Sequence, residues 1–139
     1  MPALQQIVTK GSANVSVYLE IYDDTTGAPE TGVVWNTSGI DLWYFREGAV
    51  HTSITEATTT EGAAHVDGGF VHISDGIYRL DVPDAAFAAG VDHVTIGGTV
   101  TGMIVESVVV QLGPIDVNVY SINDAVVVGD GNATPWDGA

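Results

Sequence analysis

Residues 14–24 read NVSVYLEIYDD, and this stretch decides the fold class of the chain. Its aliphatic residues occupy every second position: Val15, Val17, Leu19 and Ile21. Because successive side chains of a β-strand point to opposite faces, the alternation predicts a strand with one face in a hydrophobic core. The run that follows, DDTTGAPETG, is rich in turn-forming residues and predicts a loop at the end of this strand.

Similar short runs recur along the chain with turn residues between them. Residues 40–47 (IDLWYFRE) carry apolar or aromatic side chains on both faces, which predicts a central strand or one covered by a partner. Residues 50–55 (VHTSIT) predict its hairpin mate. Further strands are expected within residues 65–76 and 77–83, twice within 91–113, and after residue 114.

This pattern predicts an all-β fold, an immunoglobulin-like or Greek-key β-sandwich with one short helical turn near residues 83–89. A chain of 139 residues is expected to form one domain. We expect an N-terminal arm over residues 1–13, the sandwich over 14–122, and a C-terminal strand and tail over 123–139. Apolar residues of the N-terminal arm are expected to contact a partner: Leu4, Ile7 and Val8.

The charge balance is one-sided, since 18 acidic residues against 3 basic ones give a formal net charge of −15. The bases, Lys10, Arg46 and Arg79, are scattered, whereas a nucleic-acid backbone or an anionic membrane requires clustered ones. We therefore expect neither nucleic acid nor membrane as a partner. The acidity is typical of a soluble, self-repelling surface, and a high-salt habitat is an open alternative.

Cysteine is absent, which excludes disulfides, thiolate nucleophiles and cysteine-based metal sites. The first residues show no charged region followed by an apolar run, so no signal peptide is expected. No apolar run is long enough to predict a transmembrane helix.

Residues 75–90, DGIYRLDVPDAAFAAG, gather side chains that suit either an acid/base site or a corner between strands. In the corner interpretation, Gly76 takes an unusual turn φ and the Tyr78 hydroxyl bonds to upstream backbone. Arg79 and Asp81 would then share the solvent face and pair weakly. Because every polar residue has a structural role in the corner, we favour it over a catalytic cluster.

Other signals of catalysis or metal binding are weak. The four histidines lack the spacing that places two imidazoles on one metal. A site from His65, Asp67 and His72 is conceivable, but surface or hydrogen-bonded histidines are the commoner arrangement. The acidic pair at 23–24 and residues 129–132 offer oxygen ligands without matching a calcium loop, so a structural calcium ion there is an open alternative. We expect a non-enzymatic protein without catalytic residues, cofactor or metal.

Aromatic residues are the remaining candidates for binding. Trp43 and Phe45, with Tyr44 between them, could line a sugar-binding face, or alternate rings could fill the core and contact a neighbouring subunit. Trp136, in the tail NATPWDGA, is difficult to bury in its own domain and predicts an anchor in a neighbour's pocket. We expect Trp43, Phe45 and Trp136 to join the arm in contacting partners.

Two long runs carry a resemblance to a known class of proteins. SGIDLWYFREGAVHTSITEA (38–57) and GGFVHISDGIYRLDVPDAAFAAGVDHVTI (68–96) resemble a small β-domain that recurs in structural proteins of tailed bacteriophages. The resemblance covers about residues 14–112. The segment GDGNATPW (129–136) is similar to C-terminal segments of such proteins.

The resemblance implies a non-enzymatic virion component and brings no catalytic residues with it. A single small domain with arms favours a capsid decoration (cement) protein over a tail, baseplate or fibre domain that binds a receptor or glycan. The implied partners are the major capsid protein and neighbouring copies of the chain, and a homo-oligomer is open. The implied location is the capsid surface of a virion assembled in the host cytoplasm.

Overall fold

The computed structural model describes residues 3–113, 121–122 and 125–126, with side chains described for residues 6–113. These ranges hold twelve strands and one 3₁₀ turn. In chain order they are β1 (Ala3–Thr9), β2 (Ser16–Asp23), β3 (Asp41–Arg46), β4 (Thr52–Ser53), β5 (Ala57–Thr58), β6 (Gly69–Ser74), β7 (Ile77–Asp81), the 3₁₀ turn (Asp84–Phe87), β8 (His93–Thr99), β9 (Met103–Glu106), β10 (Val108–Gly113), β11 (Ser121–Ile122) and β12 (Ala125–Val126).

The strands form two five-stranded sheets. Sheet A has the order β1-β10-β8-β3-β4, sheet B has the order β5-β6-β7-β2-β9, and β11 pairs with β12 alone. The predicted all-β sandwich is confirmed. The finer immunoglobulin-like or Greek-key assignment stays a prediction.

The alternation in residues 14–24 predicted the core face of β2 correctly. Val17, Leu19 and Ile21 have no solvent exposure, and Val15 is also buried. These side chains share one core cluster with inward-facing residues of sheet A: Leu42, Val94, Ile96, Val110 and Leu112. The core therefore lies between the two sheets, as expected for a sandwich.

The predicted hairpin and helical turn are both present. β3 pairs with β4 through Tyr44 and Thr52, and β8 lies on its other side. The 3₁₀ turn falls within the predicted residues 83–89 and buries Phe87 completely. After the turn, Arg46 Nη2 donates to the carbonyl oxygens of Ala88 at 2.6 Å and Ala89 at 2.9 Å.

The segment predicted as an N-terminal arm is part of the sandwich where the structure describes it. β1 pairs in parallel with β10, from Ala3 opposite Val108 to Thr9 opposite Gly113. The expectation of a free arm missed this pairing because a parallel partner about a hundred residues away leaves no local turn signal in the sequence.

The segment 91–113 holds three strands, where two were predicted. β8 and β10 pair antiparallel in sheet A, whereas β9 between them pairs with β2 in sheet B. The chain thus changes sheets between Glu106 and Val108, inside a nearly continuous apolar run. Periodicity could not show this change, because both strands are rich in aliphatic residues.

Candidate functional site

The outward side of sheet A carries several apolar side chains among polar ones such as His93 and Gln111. We call the following group the outer A face: Ile7, Trp43, Phe45, Thr95 and Val109. The residues next to them along each strand point into the core. Because successive side chains of a strand alternate between faces, these five point outward. Ile7 is 63% exposed, whereas Trp43, Phe45 and Val109 are half-buried. We take this face as the candidate binding surface of the protein.

The aromatic pair of the outer A face is held in a defined arrangement. The ring centroids of Trp43 and Phe45 are 5.5 Å apart with an interplanar angle of 34°, and His51 meets Trp43 edge-on at 6.2 Å. Trp43 lies over Gly97, where an added Cβ would be 3.1 Å from Cη2 of the indole. Tyr44 faces the core and is 8% exposed, so it cannot share a sugar-binding face with its two neighbours.

Exposed carboxylates lie at the strand ends around the outer A face. Asp41 begins β3, Glu47 follows β3, and Asp92 precedes β8. Lys10 pairs with Asp92 at 3.2 Å and offsets one of these charges. The rim of the face is therefore acidic, which favours a partner with basic residues around its contact.

The predicted partner-binding residues have different placements. Ile7 is exposed on the outer A face, whereas Val8 pairs with Leu112 and is partly buried against the core. The backbone of Leu4 pairs with Val109, and the side chain of Leu4 and all of Trp136 lie outside the described residues.

Tyr78 has the structural role that the corner interpretation predicted. It is fully buried, its hydroxyl donates to Glu30 O at 2.7 Å, and it accepts from the Val33 amide at 3.1 Å. Both partners are upstream backbone groups. Gly76 has a φ of 85° in the preceding turn. Burial raises the pKa of Tyr78, so the phenol stays neutral and ties the loop before β3 to sheet B.

Replacing Tyr78 with phenylalanine is expected to lower the free energy of unfolding by about 1–3 kcal/mol, because it leaves two backbone groups without their partner. The ring contact with Phe70, stacked at 4.9 Å, would remain. Urea unfolding followed by tryptophan fluorescence measures the change. Tyr22→Phe is the matched control, since the Tyr22 hydroxyl bonds only to the exposed Glu20 side chain among the hydrogen bonds described. Equal effects of the two variants would contradict the assigned role.

Arg79 and Asp81 were expected to pair weakly on the solvent face, and that prediction is wrong. Asp81 has no exposure and Arg79 is 8% exposed. Arg79 donates to Asp81 through Nε and Nη2, both at 2.9 Å, and Ser16 Oγ donates at 2.7 Å. The amide of Val66 donates to the same carboxylate at 3.0 Å. The alternation predicted correctly that Asp81 points away from the core. The loop after β5 packs over that side of the strand, so Asp81 is buried there.

The electrostatics of this pair follow from its hydrogen bonds. Burial alone would raise the pKa of Asp81, but the bonds from Arg79, Ser16 and the Val66 amide hold it below its ordinary value. The hydrogen bond to Asp81 raises the pKa of Arg79. Both groups are therefore charged at neutral pH, and the pair fixes the loop rather than exchanging protons.

The histidines have separate environments. His51 contacts Trp43, His93 lies 3.9 Å from Glu47, and the His72 ring accepts from the Gly76 amide and meets Tyr78 edge-on. The conceivable site with His65, Asp67 and His72 is only partly assembled. His65 lies near Asp67 and also near Asp84, which the sequence did not suggest, whereas His72 is not in this group.

Trp35 is a candidate binding residue that the sequence interpretation missed. It is 40% exposed and lines a groove of about 230 Å³ with Thr58, Thr59, Phe70 and His72 among the other lining residues. The loop predicted over residues 23–32 ends before Trp35, and no role was predicted for this residue. An exposed tryptophan on such a loop was the signal that could have identified it.

Within the described part of the chain, no helix has the length and apolar character that a membrane span requires. No protein-family model, curated protein or solved structure matches this chain. The resemblance to phage virion domains therefore stays a prediction.

Proposed function

We propose that this protein is a non-enzymatic virion structural protein, a capsid decoration (cement) protein that binds the outer shell of a tailed phage and stabilises it. The outer A face carries the proposal, because Ile7, Trp43 and Phe45 are partly exposed apolar side chains on one side of sheet A in a strongly acidic chain. Apolar contacts with a polar rim are typical of surfaces where proteins bind each other. The resemblance of residues 14–112 supplies the virion setting.

The proposed partner is the major capsid protein, with neighbouring copies of this chain beside it on the shell. The acidic rim of Asp41, Glu47 and Asp92 favours a coat surface with Lys or Arg around an apolar contact. A net charge of −15 opposes direct association between free copies, so the shell would bring copies together. The protein would sit on the capsid surface, after assembly in the host cytoplasm, without contacting nucleic acid or membrane.

Stabilisation would come from burial of apolar area across the shell. Each Å² removed from water contributes about 25 cal/mol before the cost of association. A modest interface repeated at many positions would therefore strengthen the particle.

A cryo-EM map of virions whose genome encodes this chain tests the location. Many copies on the shell, with the outer A face against coat protein, are expected; absence from the shell would overturn the proposal.

Ile7→Glu is expected to weaken binding to shells stripped of this protein at least about tenfold, since it places a carboxylate in an apolar contact. Co-sedimentation of the purified variant with stripped particles measures the loss. Ile104→Glu is the matched control, because Ile104 is 54% exposed on β9 of the opposite sheet. Equal losses for the two variants would contradict binding through the outer A face.

A tail, baseplate or fibre domain that binds a receptor or glycan is the second candidate. The adjacent rings of Trp43 and Phe45 favour it, because paired aromatic rings suit stacking on a sugar. The same map separates the two functions. A few copies at the tail tip with these rings facing outward would support the second candidate.

A further inference from the structure

His65, Asp67 and Asp84 form a cluster at the edge of sheet B, which we call the His65 cluster. One ligand atom from each side chain lies within 4.8 Å of the other two. The three residues come from two different segments, the loop before β6 and the 3₁₀ turn after β7. This convergence is independent of the outer A face and of the function proposed for it.

The orientation of the His65 ring is fixed by the backbone. Its Nε2 atom lies 3.1 Å from the carbonyl oxygen of Val82. A carbonyl oxygen can only accept, so Nε2 carries the hydrogen and Nδ1 of the neutral ring carries the lone pair. A metal-binding histidine usually donates its other ring N–H to a carbonyl or carboxylate in this way.

The Nδ1 atom points at negative charge. It lies 3.7 Å from Oδ1 of Asp67, too far for a hydrogen bond, although the His65 side chain is only 8% exposed. A lone pair facing a carboxylate is electrostatically unfavourable, and a cation between the two atoms would remove the repulsion. A metal ion held between Nδ1 and the carboxylate oxygen would satisfy both groups.

The surrounding backbone holds the ligands in place. The amides of Val66 and Gly68, on either side of Asp67, donate to the side chain and carbonyl of the buried Asp81 at 3.0 and 2.7 Å. Asp84 accepts from the Asn14 amide at 2.9 Å. These bonds position the two segments, so binding of an ion would require little reorganisation.

We propose that His65 Nδ1 and one carboxylate oxygen each from Asp67 and Asp84 bind a divalent transition-metal ion of the zinc class. Imidazole favours zinc-class ions, whereas calcium prefers a shell of oxygen ligands. Asp67 also lines an open groove of about 290 Å³, which leaves room for water or another ligand at a fourth position. The ion joins the loop before β6 to the 3₁₀ turn.

Isothermal titration of the full chain with ZnCl₂, after EDTA treatment and dialysis, tests the site. One ion per chain is expected, and Asp67→Asn or Asp84→Asn is expected to weaken binding at least about tenfold. Asp67 is exposed, and asparagine at 84 can still accept from the Asn14 amide, so both variants should fold. Glu61→Gln removes the same charge from an exposed position in the same loop and should bind normally.

The nitrogen ligand has its own test. In ¹⁵N-edited NMR spectra, one equivalent of Zn²⁺ is expected to shift the Nδ1 resonance of His65 and to leave that of His51 unchanged. Saturable binding of CaCl₂ but not ZnCl₂ would overturn the assignment of a nitrogen ligand. Unsaturable binding, or equal losses in Glu61→Gln and Asp67→Asn, would show nonspecific attraction to the acidic surface and overturn the site.

Discussion

Asp81→Ala is expected to lower the free energy of unfolding by about 3–5 kcal/mol, the cost of removing one partner from a buried ion pair. The variant leaves the buried Arg79 guanidinium without its carboxylate, and it removes the acceptor for Ser16 Oγ and the Val66 amide. Urea unfolding at neutral pH measures the loss. Asp24→Ala removes the same charge from an exposed loop and should cost less than about 0.5 kcal/mol.

A double-mutant cycle separates the pair from other effects of the change. Arg79→Ala alone should also be strongly destabilising, but it should cost much less in the Asp81→Ala background, where the pair is already broken. A coupling energy near zero would contradict the role of the ion pair.

The same pair makes stability depend on pH. Because the folded-state pKa of Asp81 is lowered, its stabilisation is complete above the unfolded-state value of about 3.9 and is lost as pH falls through the folded-state value. The stability difference between the wild type and Asp81→Asn should thus be constant above about pH 5 and shrink below about pH 4. Unfolding curves from pH 2.5 to 7 measure it, and a constant difference throughout would contradict the prediction.

Gly68→Ala is expected to lower the free energy of unfolding by about 2–5 kcal/mol. Two costs add up: the strain of a left-handed backbone conformation and the steric overlap of the new methyl group. Gly68 has a φ of +82°, and an added Cβ would overlap the carbonyl oxygen of Thr55. That carbonyl belongs to the backbone and cannot rotate away as a side chain could. The Gly68 amide and carbonyl also bond to Asp81 and Ala57, so movement of the glycine would disturb both.

Gly62→Ala separates the cost of backbone strain from the cost of steric overlap. Gly62 has a φ of +81° in the same loop, but an added Cβ would meet no atom within 4 Å. It should therefore show only the backbone cost of about 1–2 kcal/mol. Thermal unfolding of both variants measures the difference, and similar melting temperatures would show that the Thr55 backbone yields to the new methyl group.

The sequence predicted those parts of the fold that rest on local pattern. The alternation from Val15 to Ile21 identified a core face, and the turn residues before Tyr78 identified the corner. The hydroxyl of Tyr78 reaches backbone 45 and 48 residues upstream, and that distance could not be predicted from the sequence. Local periodicity specifies which way a side chain points, but it does not specify what another segment places over it.

The candidate sites show the same limit. Arg79 and Asp81 were placed on the correct side of the strand and still assigned to solvent, since the loop that covers them comes from an earlier, polar run. His65 and Asp67 are close in sequence, but Asp84 joins them only through the course of β6 and β7. Ile7 and Val8 were expected to act together, yet the strand pairing of β1 turns one outward and one inward.

The pairing of β1 with β10 sets an order of events during synthesis. Ala3 leaves the ribosome first, but its partner Val108 is made more than a hundred residues later. At about 5–20 residues per second, the first strand waits roughly 5–20 seconds for its place in sheet A. Sheet B lacks only β9 once Asp81 has been made, so it can form before sheet A is complete. Contacts this distant in sequence also favour slow folding, and the first strand remains available to other chains until β10 arrives.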